Sequence, residues 1–176
     1  AADGALNFPD FRSAERTYQI LPQAAGRAGR GAKPGVVFIQ TYNPEHYSVS
    51  SVTAEDDDEF YQKELAFRQA ERYPPFVNLI RLIFSGVEQE TVSQSAKVVT
   101  STLRDRFRTE SEDIEVIGPH AAPIEKIQNY YRWQSLIKAR ELSSLYTLLP
   151  QVINDHPPKR NKKVRIIIDE NPFSML

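Results

Sequence analysis

Val77-Asn78-Leu79-Ile80-Arg81-Leu82-Ile83-Phe84, a run rich in apolar and β-branched side chains, reads as a strand, and the pattern on its C-terminal side is regular. Residues 88–108 carry Val92, Ala96, Val99 and Leu103 at spacings of three and four, the signature of an amphipathic helix. Ile114 to Ile117 predicts a short strand ended by Gly118-Pro119, and Tyr131 to Lys138 alternates as a further strand. Residues 142–153 predict a helix with Leu145, Leu148, Leu149 and Val152 as its apolar stripe, and Val164 to Ile168 a last strand. The order is βαββαβ, the split βαβ or ferredoxin-like arrangement, over residues 76–176.

On the N-terminal side, Tyr73-Pro74-Pro75 should stop any preceding helix, because proline lacks the amide proton and disfavours helical backbone at its predecessor. Phe60, Glu64, Phe67 and Glu71 sit at helical spacing, so a connecting helix is expected over 57–72. Glu55-Asp56-Asp57-Asp58-Glu59 reads as a solvated boundary or a helix start, where acids suit the dipole. Residues 53–75 therefore form an acidic linker and connecting helix. Residues 1–52 hold an arginine- and glycine-rich segment and a strand-like run over 35–41, too little to bury a core of their own.

The chain has 176 residues and a formal net charge of −1, which argues against a general polyanion binder; nucleic-acid contact would need a local basic patch. It contains no cysteine, and its three histidines are far apart, so no metal site is expected within it. No apolar run reaches the length that spans a membrane, and no secretory leader is legible, so a cytoplasmic, membrane-free setting is the expectation.

Gln23-Ala24-Ala25-Gly26-Arg27-Ala28-Gly29-Arg30 is the most specific segment. Two arginines three residues apart on one turn can face a shared nucleotide, and guanidinium groups pair with phosphate oxygens in a planar fork. The bland reading is a surface helix end. The spacing resembles motif VI of superfamily 2 helicases. The stretch D-x-x-L-x-x-P-D-F-R-x-x-E-R that leads into it is similar to the PriA family of bacterial replication-restart helicases. So are Tyr73-Pro74-Pro75-Phe76, Gly118-Pro119, Tyr131-Arg132-Trp133-Gln134 and Asp169-Glu170-Asn171-Pro172.

That resemblance implies an α/β and α+β chain: the end of a RecA-like helicase lobe 2 over 1–52, then the C-terminal domain. It implies Arg30 as the arginine finger, Arg27 as a second phosphate contact, Gln23 as a nucleotide-sensing side chain, and Gly26 and Gly29 as close-packing positions. It implies a full-length protein that binds ATP and Mg, carries zinc outside this chain, and works as a 3′–5′ helicase in primosome assembly. Implied partners are forked and single-stranded DNA, the single-stranded DNA-binding protein and other primosome proteins. No P-loop is present, so the chain alone should be inactive.

The C-terminal residues suggest two basic surfaces. Arg132, Gln134, Leu136 and Lys138 share one strand face, read as open to phosphates or a carboxylate, with Arg81 and Arg165 joining from neighbouring strands. Tyr131, Trp133, Ser135 and Ile137 share the opposite face, read as packing on the helices. Lys159, Arg160, Lys162, Lys163 and Arg165 form a basic loop before the last strand. A solvated sheet face and an ordinary solvated loop are the competing readings, and with them a scaffold domain that braces the motor lobes.

Overall fold

The computed structural model describes residues 2–26, 36–110, 113–155 and 163–175. The chain divides into two compact units, Ala1–Glu71 and Arg72–Leu176.

In the first unit, α1 (Asp3–Leu6) and α2 (Ser13–Ala25) are followed by α3 (Tyr47–Ala54) and α4 (Asp57–Ala70). Asp56 caps α4 by accepting from the Glu59 amide at 2.8 Å, and Asp57, Asp58 and Glu59 fill its first turn, where the helix dipole favours acids. The acidic run is thus the start of a helix that belongs to the first unit, not a separate linker segment. The chain leaves α4 through Arg72, in left-handed backbone at φ 54°. The strand-like run does not become a strand: residues 36–41 have no sheet partner, and Val36 and Phe38 stand 75% and 91% exposed. A strand exists only where a neighbour takes its backbone hydrogen bonds in a ladder, and here the Ala2 amide donating to Gln40 O at 3.1 Å is a single contact rather than a ladder.

In the second unit, β1 (Asn78–Gly86), α5 (Gln89–Glu110), β2 (Glu115–Ile127), β3 (Tyr130–Ala139), α6 (Ser143–Asp155) and β4 (Val164–Glu170) follow in order. The sheet order is β2-β3-β1-β4 with every neighbouring pair antiparallel, which is the ferredoxin-like arrangement read from the sequence. Strand β1 is central, and its residues Leu79 to Phe84 are all buried. Ile80, Leu82 and Phe84 face the helices, where they meet Val92, Ala96, Val99, Leu103 and Phe107 of α5 and Leu145, Leu148, Leu149 and Val152 of α6. Thr100 and Ser135 join hydroxyls at 2.6 Å inside this layer.

Strand β2 runs well beyond the short strand expected. It passes through Gly118-Pro119 and continues to Ile127, with its pairing to β3 shifted between Ile117 and His120. Proline is tolerated there because β2 is an edge strand, whose outward amides have no ladder partner to lose.

Candidate nucleic-acid interface and nucleotide-facing segment

The first candidate segment lies at the end of α2. Gln23 is exposed in the last turn, and Gly26 closes the helix, its amide donating to Pro22 O at 2.8 Å. Arg27, Gly29 and Arg30 lie outside the described residues. Behind α2, an apolar groove of about 250 Å³ opens between Ala5, Ile20, Ala24 and Phe38. Among the described residues no cation lines it.

A polar network fastens this unit. Arg68 reaches Glu15 at 2.6 Å and Glu64 at 2.7 Å, and Glu64 accepts from the Tyr47 hydroxyl at 2.7 Å. Burial alone would lower the Arg68 pKa, but the two carboxylates raise it above the ordinary arginine range. Burial, then Glu64, pushes the Tyr47 hydroxyl up.

The second candidate site is the sheet face away from the helices. It is not the open surface the alternation suggested. Arg81, Gln134, Leu136 and Lys138 are all buried, the last only 5% exposed. The Lys138 ammonium sits 4.0 Å from the centroid of the Tyr73 ring, and Arg81 pairs with Asp169 at 2.7 Å. Long cationic stems bury readily when the head finds a ring or a carboxylate. The opposite face behaves as read: Ile137 is fully buried in the helix-facing core and Trp133 packs against it.

Arg132 differs from its neighbours. It is half-buried and makes no hydrogen bond or ion pair among the described residues. Burial, and then repulsion from Arg81, lowers its pKa. Opposite it the edge strand bulges: Ala121 pairs with Trp133 and Lys126 with Tyr131, so residues 122–125 stand against Arg132 alone. A bulge bends a strand and re-aims the side chains around it. Across the sheet, Arg132 is level with Ser85 of β1, and Ser85 with Arg165 of β4. Two exposed or half-exposed guanidinium-bearing positions thus flank one small residue, about 10 Å apart by ordinary strand spacing. At the hairpin end, Lys126 lies over the Tyr131 ring at 4.6 Å and Tyr130 is 51% exposed. Lys163, the described member of the basic loop, faces Glu88 at 3.6 Å in the open; Lys159, Arg160 and Lys162 lie outside the described residues.

This arrangement suits an oxyanion that brings its own negative charge: one bare guanidinium on a rigid strand, an adjacent buried amide at Gln134, and a second arginine within reach. Among the described residues no cluster of His, Asp or Glu could hold a metal, and no helix is long and apolar enough to cross a membrane.

Residues 69–172, which include α5, the bulged edge strand and Arg132, match the family model for the primosomal protein N C-terminal domain. The chain belongs to this family. Its relatives include the replication restart protein PriA of Bacillus subtilis, 39% identical over 100% of this chain and 22% of the relative. PriA of Synechocystis is 36% identical over 99% of this chain and 20% of the relative, and PriA of Chlamydia muridarum 34% identical over 99% and 22%. The chain therefore spans about a fifth of the length of these curated relatives. The family model covers the second unit and stops short of the Q-x-x-G-R-x-G-R segment, which the longer alignments to the PriA relatives include.

Three features of the site escaped the sequence. The Arg81–Asp169 pair joins residues far apart in the chain, the Tyr73 ring over Lys138 comes from the proline-rich turn, and the bulge at 122–125 is visible only against β3. Pro123 within an otherwise strand-like stretch was the one available signal for the bulge.

Proposed function

We propose that this chain is the C-terminal portion of an ATP-dependent 3′–5′ DNA helicase that restarts replication at stalled forks by assembling a primosome. The reading is supported by the sequence Gln-x-x-Gly-Arg-x-Gly-Arg, whose Gln23 and Gly26 fall at the end of α2, in a chain of the PriA C-terminal family. In the full-length protein Arg30 meets the γ-phosphate of ATP, with Mg on the same phosphates, and stabilises the charge of phosphoryl transfer. Arg27 supplies a second phosphate contact, and Gln23 reads the nucleotide. Zinc belongs to other parts of the protein. The setting is the bacterial cytoplasm.

Within the chain itself, the second unit is a binding module. Arg132 and Arg165 take phosphates of forked or single-stranded DNA, or the carboxylates of the single-stranded DNA-binding protein, and the loop of Lys159, Arg160, Lys162 and Lys163 adds diffuse charge. The unpaired state of Arg132 favours this over a purely bracing role, since a scaffold gains nothing from a half-buried guanidinium with no partner.

The motor part is tested by DNA-stimulated phosphate release from the full-length protein. Arg30→Ala is expected to lower kcat by 10³-fold or more, in keeping with the roughly 10³–10⁵ contribution of arginine fingers, with ATP still bound. A kcat within twofold of wild type would remove Arg30 from the reaction.

A further inference from the structure

Strand β4 is the second edge of the sheet, and it is built differently from β2. Edge β2 carries Pro119, a bulge, and the Arg104 guanidinium on its carbonyls. Strand β4 has no proline, and it pairs with β1 from Val164–Gly86 to Glu170–Ile80 without a shift in register. Sheets blunt their edges by such devices because a flat unpaired strand templates another.

The outward backbone of β4 follows from one bond. The Asn171 amide donates to Leu79 O at 2.7 Å. Backbone groups alternate in direction along an antiparallel ladder, so Arg165, Ile167 and Asp169 turn theirs to β1, and Val164, Ile166, Ile168 and Glu170 turn theirs away from it. Side chains alternate between faces as well. Val164 and Ile166 pack on the helix-facing core, which puts Ile168 and Glu170 on that face. Arg165, Ile167 and Asp169 share the other face, where Asp169 meets Arg81. Ile167 and Ile168 are 37% and 46% exposed, so each face of the edge offers an uncovered apolar side chain.

The charges of β4 are opposite and symmetrically placed about Ile167: Arg165 stands two residues before it and Asp169 two after. A second copy laid antiparallel, with Ile167 opposite its own equivalent, sets each Arg165 opposite an Asp169 and each Ile166 opposite an Ile168. Opposite charges directly across a ladder attract, and like charges repel. A slip of the register by two residues would instead set Ile167 opposite Arg165 or Asp169 and lose both pairs. Arg165 is exposed and has no ion pair among the described residues. Asp169 can accept from a second guanidinium while it holds Arg81.

We infer that β4 is a self-complementary edge at which two copies of this chain join, their four-stranded sheets continuing as one of eight strands with the helices on one side. The interface is isologous, the same strand serving both copies. A second copy is the occupant because the charge order of β4 is the order its antiparallel partner must carry. An Arg165 held in this pair is withdrawn from phosphate, so association is measured without DNA.

The chain has no cysteine, which makes the register directly readable. The two Ile167 positions form a pair without ladder hydrogen bonds, their Cα atoms about 4.5 Å apart, within the reach of a disulfide. The two Arg165 positions are offset by four residues, about 13 Å along the strand. Ile167→Cys is therefore expected to give a covalent dimer under mild oxidation, and Arg165→Cys none. Sedimentation of the unmodified chain at rising concentration is expected to show a monomer–dimer equilibrium. Arg165→Glu sets a glutamate opposite Asp169 twice and should raise the dimer dissociation constant roughly tenfold, through two lost attractions and two new repulsions. Arg132→Glu, a charge reversal on β3 away from this edge, leaves that constant unchanged. A chain that stays monomeric overturns the proposal. So does a dimer indifferent to Arg165→Glu, and so does crosslinking at position 165 as efficient as at 167.

Discussion

Tyr18 concentrates several constraints in one side chain. Its ring is stacked on Phe60 and its hydroxyl is bound to Asp57. The Asp57 bond, and after it burial, pushes the hydroxyl pKa up to about 12 from an ordinary value of 10. In the unfolded chain the hydroxyl ionises first, so the stabilisation it gives is complete below about pH 10 and is lost as pH rises through about 12. Tyr18→Phe is accordingly expected to flatten the fall in urea midpoint between pH 10 and 12, an unchanged slope being the contrary result. Gly86 illustrates a different constraint. A Cβ there would stand 2.5 Å from the Lys163 carbonyl oxygen and 2.8 Å from Val92 Cγ2, and a backbone carbonyl cannot turn aside. Gly86→Ala should cost about 1–3 kcal/mol, read by denaturant unfolding, because it wedges β4 away from β1. At this scale the sequence was least informative. Arg81 and Lys138 read as solvent-facing cations because alternation puts them on a polar face. Their burial follows from an aspartate 88 residues away and from a tyrosine in the preceding turn.

Edge strand β2 shows how an element is protected. Arg104 of α5 donates to Gly118 O at 2.6 Å and to Val116 O at 3.3 Å, so the carbonyls that would template another strand are occupied. Arg104→Ala is expected to cost about 1 kcal/mol, as exposed hydrogen bonds do, and to raise concentration-dependent association measured by sedimentation. A variant that stays monomeric at high concentration would show that the edge needs no such guard. Helix α5 carries the opposite burden: Leu103 is fully buried and Phe107 1% exposed. Phe107→Ala should cost about 3–5 kcal/mol through the cavity it leaves. Helices α4, α5 and α6 and three of the four strands were legible because their apolar spacing is undisturbed over many residues. Helix α3 was not, since Tyr47–Ala54 is short and rich in β-branched residues and owes its start to the His46 side chain accepting from the Ser48 amide. The 35–41 run failed in the other direction: its apolar, β-branched character is real, but among the described residues 36–41 has no sheet partner.

At the level of the whole molecule, membership of the PriA C-terminal family and the ferredoxin-like order agree, and the sequence anticipated both. What it could not anticipate is which cations of the polar face remain available. The structure separates them: Lys138 and Arg81 are engaged and buried, while Arg132 and Arg165 make no hydrogen bond or ion pair among the described residues. The most direct test of the binding module is fluorescence anisotropy of a labelled forked DNA titrated with this chain at two salt concentrations. The account predicts binding that weakens with salt and is reduced at least tenfold by Arg132→Glu, with a salt slope smaller by about one for the lost phosphate contact. Lys138→Glu, by contrast, should lower the melting temperature rather than act on DNA alone. Arg132→Glu binding as tightly as the wild type, or no binding by the wild type at low salt, would contradict it and leave the domain as a brace.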